Sequence, residues 1–257
     1  MRSIRFVPFA FALALILAFA GSVRAASIFY GNFPVPPSGI SFLDVTESSG
    51  TDPVPLFGPP HTFQVGLDFN PTFVAASTNG AADITDGQLN FTVKGLVVPS
   101  GGAGINSLSV FEAGDYSLLG LGTVATKAIA AASIRAKVTE IDGNPVAPIN
   151  LPQMSVPAVF NLIANPGVLQ PWSLSVTLPI AAQLTAMNIP FTIGATKVEV
   201  VVDDSLNTLT ESASSAFIAK KDFVVSADPD ISGILPEPAS VTLIGLAVAW
   251  SLKRPRR

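Results

Sequence analysis

Residues 88–94 read Gln88-Leu89-Asn90-Phe91-Thr92-Val93-Lys94, and polar and apolar side chains alternate through the whole stretch. Successive side chains of an extended strand point to opposite faces, so the three apolar residues share one face. This period of two is typical of a strand that is buried on one side and solvated on the other. The stretch therefore predicts a β-sheet that packs against a core.

Shorter runs of the same kind recur along the chain, with turns rich in glycine and proline between them. Strand-like runs lie at residues 28–33, 40–46, 62–69, 105–112, 116–121, 133–141, 158–163, 172–178, 197–203, 208–212 and 217–225. Short strands at this spacing are typical of a sandwich or a barrel. The sequence predicts an all-β fold: a single antiparallel β-sandwich, jelly-roll-like, over residues 26–225, followed by a linker at residues 226–234.

One segment predicts a short helix instead. Residues 179–190 begin and end with proline and place Ile180, Leu184 and Met187 at helical spacing. This arrangement suits a helix of two to three turns. Residues 124–132 are rich in alanine, and a helix, a strand and a loop all remain open there.

The N-terminus predicts a secretory signal peptide over residues 1–25. Arg2 and Arg5 make the start positive, and a nearly unbroken run of fifteen apolar residues follows. Cleavage after Ala25 leaves small side chains at the positions that need them, so we expect the mature chain to begin at Ala26. An uncleaved membrane anchor is the alternative, but the apolar run falls short of the ~20 residues that span a bilayer.

The predicted body of the protein is strongly acidic and contains no cysteine. Between Ala26 and Leu235 the chain carries seven Lys and Arg residues against seventeen Asp and Glu residues, a net charge of about −10. Such a surface repels nucleic acid and anionic lipid, whereas it tolerates neutral sugars and divalent cations. The lack of cysteine excludes disulfides and thiolate chemistry, so the hydrophobic core must hold the body together.

Residues suited to catalysis are sparse. A Ser-His-Asp relay needs an imidazole, and the single histidine, His61, has no Gly-x-Ser-x-Gly motif to accompany it. A glycosidase needs only two facing carboxylates, and the candidates are Glu112, Glu140, Glu199 and Glu211. Acidic residues at strand ends are usually solvated, so we expect a protein that is not an enzyme.

Two kinds of ligand site stay open for the body. We expect no cofactor. Because hard cations prefer carboxylate oxygens, a structural calcium ion is the alternative. The acidic pairs that suit it are Asp83 with Asp86, Asp203 with Asp204, and Asp228 with Asp230. Aromatic side chains exposed on a sheet can stack on sugars, and the candidates are Tyr30, Tyr116 and Trp172.

The C-terminus combines a short motif, an apolar run and a basic end. Pro236-Glu237-Pro238 precedes fourteen uncharged residues, and the last five residues include the positive cluster Lys253, Arg254, Arg256 and Arg257. A helix of fourteen residues is roughly 21 Å long, against a hydrocarbon core of ~30 Å. The basic end stays cytoplasmic by the positive-inside rule, and the prolines keep the motif extended at the outer boundary of the membrane.

These features in this order resemble the PEP-CTERM sorting signal of Gram-negative bacteria, over residues 235–257. The resemblance implies that Pro236, Glu237 and Pro238 are recognised by an exosortase, a transpeptidase-like cysteine protease of the membrane that removes the tail. It also implies export through the secretion translocon and transient anchoring in the inner membrane by a short transmembrane helix. Delivery to the cell surface or extracellular matrix, alongside exopolysaccharide, would follow.

Two other interpretations of the tail are weaker. Leu235-Pro236-Glu237 matches the start of a sortase signal, but Pro238 and Ala239 replace the Thr-Gly pair at which sortase acts. A tail anchor that is never cut is disfavoured by the short span. We therefore expect an exported, non-enzymatic surface or matrix protein of the kind found in biofilms. A surface carbohydrate-binding module and a secreted glycan-active hydrolase are the alternatives.

Overall fold

The computed structural model describes residues 26–98 and 101–230, which form two antiparallel sheets packed into a β-sandwich. The strands are β1 Ala26–Val35, β2 Ile40–Ser49, β3 His61–Phe63, β4 Gly66–Phe69, β5 Val74–Thr78, β6 Ala82–Gly95, β7 Val97–Val98, β8 Gly101–Gly102, β9 Gly104–Gly120, β10 Lys127–Ile141, β11 Asn144–Asn150, β12 Met154–Asn161, β13 Gly167–Leu178, β14 Ala195–Leu209 and β15 Ser214–Asp230. One helix, α1, spans Ile180–Ala186, and a 3₁₀ turn spans Pro36–Ser38. The predicted all-β sandwich is confirmed.

The two sheets differ in size and in strand order. The seven-stranded sheet has the order β1-β2-β6-β14-β10-β11, and β12 pairs with the same edge of β10 as β11 does. The six-stranded sheet has the order β13-β9-β15-β4-β3, and β5 also pairs with β15. A short ribbon of β7 and β8 lies apart from both. Strands that are adjacent in sequence often belong to different sheets, so the chain crosses repeatedly between the two layers.

Alternation along the central strands decides which face is buried. In β6, Leu89, Phe91 and Val93 are buried, while Gln88 and Asn90 lie on the outer face. The neighbouring strands β14 and β10 follow the same period of two. The alternation of residues 88–94 therefore predicts the buried face and the solvent face of β6 correctly.

An aromatic cluster occupies the core between the sheets. It consists of the buried residues Phe57, Phe69, Phe73 and Phe223. The ring of Phe57 lies 4.8 Å from the rings of Phe73 and Phe223 and 6.2 Å from the ring of Phe69, in each case edge to face. Such pairs are more favourable than their buried area alone implies. Phe57 comes from the proline-rich loop between β2 and β3, so this loop is part of the core.

Several predicted boundaries are wrong. The predicted strand at residues 62–69 is a hairpin, because the chain turns at Gln64 and Val65 between β3 and β4. The runs at residues 105–112 and 116–121 are one strand, β9. The alanine-rich segment lies mostly in β10, where Ala128, Ala130 and Ala132 are buried.

The C-terminal end of the sandwich also differs from the prediction. The run at residues 208–212 is not a separate strand, because β14 ends at Leu209 and a turn follows. Residues 226–230, assigned to a linker, continue β15 and pair with β9, with a register shift between Asp228 and Pro229. Pairing with a long neighbour extends this strand beyond the point at which its own polar composition suggests an end.

The predicted helix exists but is shorter than its bounding prolines suggest. Ile180 and Leu184 are buried, as the helical spacing requires. Met187 caps the helix and is 37% exposed. Asn188 then adopts a positive φ of 57°, a conformation that ends a helix.

The predicted targeting segments fall outside the described residues, apart from Ala26 at the start of β1. Ala25, the motif Pro236-Glu237-Pro238 and the basic cluster from Lys253 to Arg257 are among those outside. Within residues 26–98 and 101–230, no helix has the length and apolar character needed to cross a membrane.

The hairpin between β10 and β11 is fixed by a carboxylate. Asp142 and Gly143 both have positive φ values, 51° and 76°, as a tight hairpin turn demands. The Asp142 carboxylate accepts backbone hydrogen bonds from Thr192, Ile193 and Gly194 at 2.6–2.9 Å. Burial alone raises the pKa of Asp142, but these three N–H donors outweigh it and hold the pKa below its ordinary value.

Replacement Asp142→Asn is expected to lower the free energy of unfolding by about 1 kcal/mol at neutral pH. The variant tolerates the positive φ but exchanges charged hydrogen bonds for neutral ones. Since the folded pKa is depressed, the contribution of Asp142 is present above the unfolded pKa of ~3.9 and is lost as pH falls through the folded pKa. Urea unfolding at pH 7 and at about pH 2 should show a difference between the two proteins only at the higher pH. An equal difference at both values contradicts this role.

Candidate functional site

The outer face of the seven-stranded sheet carries two adjoining depressions, which together form what we call the outer groove. One has a volume of about 550 Å³ and the other of about 600 Å³. Outward side chains of β2, β6, β14 and β10 form their floors. The first is lined by Ser48, Asp86, Gln88, Ala131, Ser133, Asp203 and Ser205, among others. The second is lined by Asp44, Asn90, Thr92, Arg135, Lys137, Glu199 and Val201, among others.

Asp203 lies at the centre of a polar network on this floor. Its Oδ1 accepts a hydrogen bond of 2.6 Å from Nε2 of Gln88, and its Oδ2 accepts one of 2.7 Å from Nη2 of Arg135. Gln88 Oε1 in turn accepts a hydrogen bond of 3.1 Å from Nδ2 of Asn90. The register explains the contacts, because β6 and β10 flank β14 and Gln88 lies directly opposite Asp203. The network fixes the orientations of planar polar groups across three strands.

A second pair of charges lies further along the same strands. Lys137 and Glu199 are directly opposite each other on β10 and β14, and Nζ lies 2.5 Å from Oε2. Both side chains are more than one-third exposed, so the pair is accessible from the groove. Their exposure also means that they add little to stability. These side chains are therefore available to contact a ligand.

Residues of β12 and of the end of β2 border the first depression at its two sides. Ser48 and Gly50 border the first depression on the β2 side, and Ser155 and Pro157 of β12 border it on the other. The floor between them crosses β6, β14 and β10, so it spans four strand spacings, or about 19 Å. This width admits an extended chain that lies across the strands.

The charges of the groove are mixed, with an acidic excess. Asp44, Asp86, Asp203 and Glu199 outnumber the cations Arg135 and Lys137. Asp203 and Glu199 are each paired with a cation of a neighbouring strand. The groove therefore presents hydrogen-bonding groups without an attraction for polyanions.

The four glutamates that the sequence offered for glycosidase chemistry do not meet. Glu112 is fully buried in the core, Glu199 lies in the groove, and Glu140 lies near the end of β10. Glu211 caps a turn, where Oε2 accepts a hydrogen bond of 2.5 Å from the Thr123 backbone. This hydrogen bond is the main reason why the pKa of Glu211 lies below its ordinary value. The structure does not place any two of these four glutamates together across the groove.

Two of the acidic pairs considered for calcium are split by the pleat of the sheet. Asp203 faces the groove, whereas Asp204 is buried in the core. Asp86 lines the groove, and Asp83 instead accepts a hydrogen bond of 2.8 Å from the Ala76 backbone. Asp228 is exposed near the end of β15. Within residues 26–98 and 101–230, no three His, Cys, Asp or Glu side chains are grouped as a metal site would require.

The aromatic residues proposed as a sugar-stacking platform are not exposed. Trp172 is buried, and its Nε1 donates a hydrogen bond of 3.2 Å to the Ala219 carbonyl. Tyr116 is buried and stacks on Phe160, with ring centroids 4.1 Å apart. Tyr30 is half-buried; burial and its hydrogen bond to Glu47 raise the pKa of its phenol. The stacking prediction is therefore wrong for these three residues, because all of them complete the packing of the sandwich.

Sequence reasoning missed most of the residues that line the groove. The sequence identifies Gln88 only as a residue of a predicted strand, and it does not mark Arg135 or Lys137 as residues of a site. The usable signal was the alternation itself, which places polar side chains at every second position of β6, β10 and β14. The cross-strand register that brings them together is not visible in a single sequence.

No family model and no curated protein matches the chain. Among solved structures, TmCBM61 in complex with β-1,4-galactotriose is 12% identical, covering 80% of this chain and 88% of its own, with a TM-score of 0.20. The family 11 xylanase from Neocallimastix patriciarum is 8% identical (80% and 100%, TM-score 0.22). Trichoderma harzianum endoglucanase 3 from family GH12 is 10% identical (81% and 100%, TM-score 0.20). Similarities at this level concern the fold alone.

Proposed function

We propose that this chain is an exported, non-enzymatic protein of the cell surface or extracellular matrix, whose β-sandwich binds a neutral polysaccharide in the outer groove. The observation that carries the proposal is the network centred on Asp203. It holds an amide, a guanidinium and a carboxylate in fixed orientations on the floor of an open groove. Sugar hydroxyls both donate and accept hydrogen bonds, and these three groups offer both functions.

The charge of the groove and of the whole body favours a neutral ligand. The acidic excess repels phosphate and uronate polymers, while Arg135 and Lys137 are already paired with carboxylates. Charge-assisted hydrogen bonds from these ion pairs to sugar hydroxyls orient a ligand that carries no net charge. An uncharged exopolysaccharide therefore fits the groove better than a polyanion.

The same charges support a binding role over a catalytic one. Glycoside hydrolysis uses one carboxyl as an acid and a second as a base or nucleophile across the scissile bond. Asp203 and Glu199 lie on the same strand, and each forms an ion pair with a cation of the neighbouring strand. Two carboxylates that are held in ion pairs along one strand do not face each other across a bound sugar.

The route to the surface rests on the sequence of the two ends. The predicted signal peptide directs export through the translocon, and the tail that resembles a PEP-CTERM signal directs exosortase processing at the inner membrane. A protein delivered in this way reaches the place where exopolysaccharide accumulates. In this role, the two ends of the chain would deliver the protein to the matrix, and the β-sandwich would bind the polysaccharide found there.

Affinity electrophoresis tests the binding proposal. The native protein should be retarded in gels that contain neutral exopolysaccharide purified from the same cells. The variant Asp203→Ala should lose at least about tenfold in affinity, because it removes one ligand contact and releases Gln88 and Arg135 from their fixed orientations. The control Lys221→Ala removes an exposed charge of the six-stranded sheet and should bind normally. Free migration of the native protein, or equal retardation of Asp203→Ala, contradicts the proposal.

A further inference from the structure

Three charged side chains meet inside the sandwich, between the two sheets. Lys220 of β15 contacts Oδ2 of Asp204 on β14 and Oε2 of Glu112 on β9 through its Nζ. The side chains of all three residues are completely buried. Asp204 belongs to the seven-stranded sheet, and the other two belong to the six-stranded sheet. Buried ions are costly, so a cluster without access to solvent calls for an explanation.

The surrounding backbone makes room for this cluster. Asp204 continues the inward series of β14, and the small residues Gly87 and Ala132 flank it on the adjacent strands. A Cβ atom on Gly87 would lie 2.6 Å from the ring of Phe73. Gly114 faces Lys220 in the sheet, and a Cβ atom there would lie 1.9 Å from the Ala219 carbonyl oxygen. The fold thus accommodates the three side chains with small neighbours.

The environment of the cluster is aromatic and provides few hydrogen bonds. Nζ of Lys220 lies 4.5 Å from the ring centre of Phe73 and 5.0 Å from that of Phe223. Apart from Nζ of Lys220, no hydrogen-bond donor among the described residues is placed for Oδ1 of Asp204 or for either oxygen of Glu112. Burial lowers the pKa of Lys220 to about 8, although Glu112 acts in the opposite direction. A neutral amine is therefore accessible next to a carboxyl group that has no donor other than this amine.

We propose that Lys220 and Asp204 become joined by an intramolecular isopeptide bond, with Glu112 as the group that moves the protons. The neutral Nζ attacks Cγ of the protonated Asp204 carboxyl to form a tetrahedral intermediate. Glu112, which has taken the first proton from the Nζ ammonium, gives a proton to the departing oxygen and takes the next one from the nitrogen, so it ends as a neutral acid. The C–O bond breaks, water leaves, and an amide forms between Nζ and Cγ. The reaction consumes one amine and one carboxylic acid, and it needs no oxidant or other reagent.

The amide product would account for two features of the molecule. It converts the buried ammonium and the Asp204 carboxyl into a neutral amide and leaves Glu112 as a neutral acid beside it, so two buried charges are removed. It also ties β14 to β15, and thereby one sheet to the other, in a chain that contains no cysteine. A covalent link of this kind restricts the unfolded chain in the same way as a disulfide does. An exported protein gains resistance to unfolding from such a bond even under reducing conditions.

Peptide mapping of the folded, full-length protein tests the bond. Cleavage by trypsin and a glutamate-specific protease yields residues 200–211 and 212–220 as separate peptides when Asp204 and Lys220 are not joined. We expect residues 200–211 and 212–221 to appear as one linked species, lighter than the sum of these two segments by one water molecule, with no tryptic cleavage after Lys220. Recovery of the two separate peptides, cleaved after Lys220, from folded protein would overturn the proposal.

Variants separate the chemistry from the packing. Glu112→Gln keeps the shape of the side chain but cannot carry the proton, so its peptides should stay separate and its melting temperature should fall by roughly 10 °C. Lys220→Met removes the nucleophile and should also yield unlinked peptides. The control Lys221→Arg changes the exposed neighbour, keeps the protease site, and should retain the link. A linked product in folded Glu112→Gln contradicts the role assigned to Glu112.

Discussion

Replacement of Phe57 by alanine is expected to lower the free energy of unfolding by about 3–5 kcal/mol, the largest loss that we expect from a single side chain of the body. The ring is completely buried and meets three other aromatic rings edge to face. Truncation removes these contacts and leaves a cavity that rigid strands on both sides cannot close. The loss includes the aromatic pair energies as well as the buried area.

Thermal or urea unfolding of Phe57→Ala measures this effect, with an expected fall in melting temperature of roughly 10 °C. Phe29→Ala is the matched control, because Phe29 lies on the edge strand β1 and is 63% exposed. The control should change stability by less than about 0.5 kcal/mol. If Phe57→Ala unfolds like the control, the proline-rich loop does not belong to the core.

Replacement of Pro236-Glu237-Pro238 by three alanines is expected to block removal of the tail almost completely. The resemblance to a PEP-CTERM signal implies that the exosortase recognises these residues. Alanines also allow the apolar segment to continue as a helix toward the body, so that the cleavage region is no longer extended. The protein should then accumulate in the membrane fraction with Lys253 to Arg257 still attached.

Mass spectrometry of the membrane and extracellular fractions distinguishes the outcomes. The wild-type chain should lack the basic cluster outside the cell, whereas the triple variant should keep it and stay in the membrane. Pro34→Ala is the control, since it changes a proline elsewhere in the chain and should leave processing intact. A wild-type protein that keeps its basic cluster, or a triple variant that loses it normally, contradicts the sorting proposal.

The fold was predictable where local patterning and tertiary packing agree. In β6 and β14, alternation is regular over many residues, so the buried face follows directly from the sequence. In residues 124–132, alanine favours a helix locally, but pairing with β14 and β12 places the segment in a strand. Phe57 could not be recognised as core, because its loop has no periodicity and only the closed sandwich brings it to Phe73 and Phe223.

The candidate sites were harder to predict because they depend on register between distant strands. Gln88 and Asp203 are separated by 115 residues and meet only because β6 pairs with β14. The buried cluster did leave a signal in the sequence, since Asp204 interrupts an inward series of valines and leucine in β14. A charged residue at an inward position predicts a partner in the core, although the partner itself must come from the structure.

The most direct test of polysaccharide binding is a titration of ¹⁵N-labelled protein with soluble fragments of the neutral exopolysaccharide. The side-chain amides of Gln88 and Asn90 report on the groove, and those of Gln170 and Gln183 report on surfaces outside it. We predict saturable shifts of the Gln88 and Asn90 signals, while the Gln170 and Gln183 signals stay in place. Shifts confined to Gln170 and Gln183, or no shifts at all, would contradict binding in the outer groove.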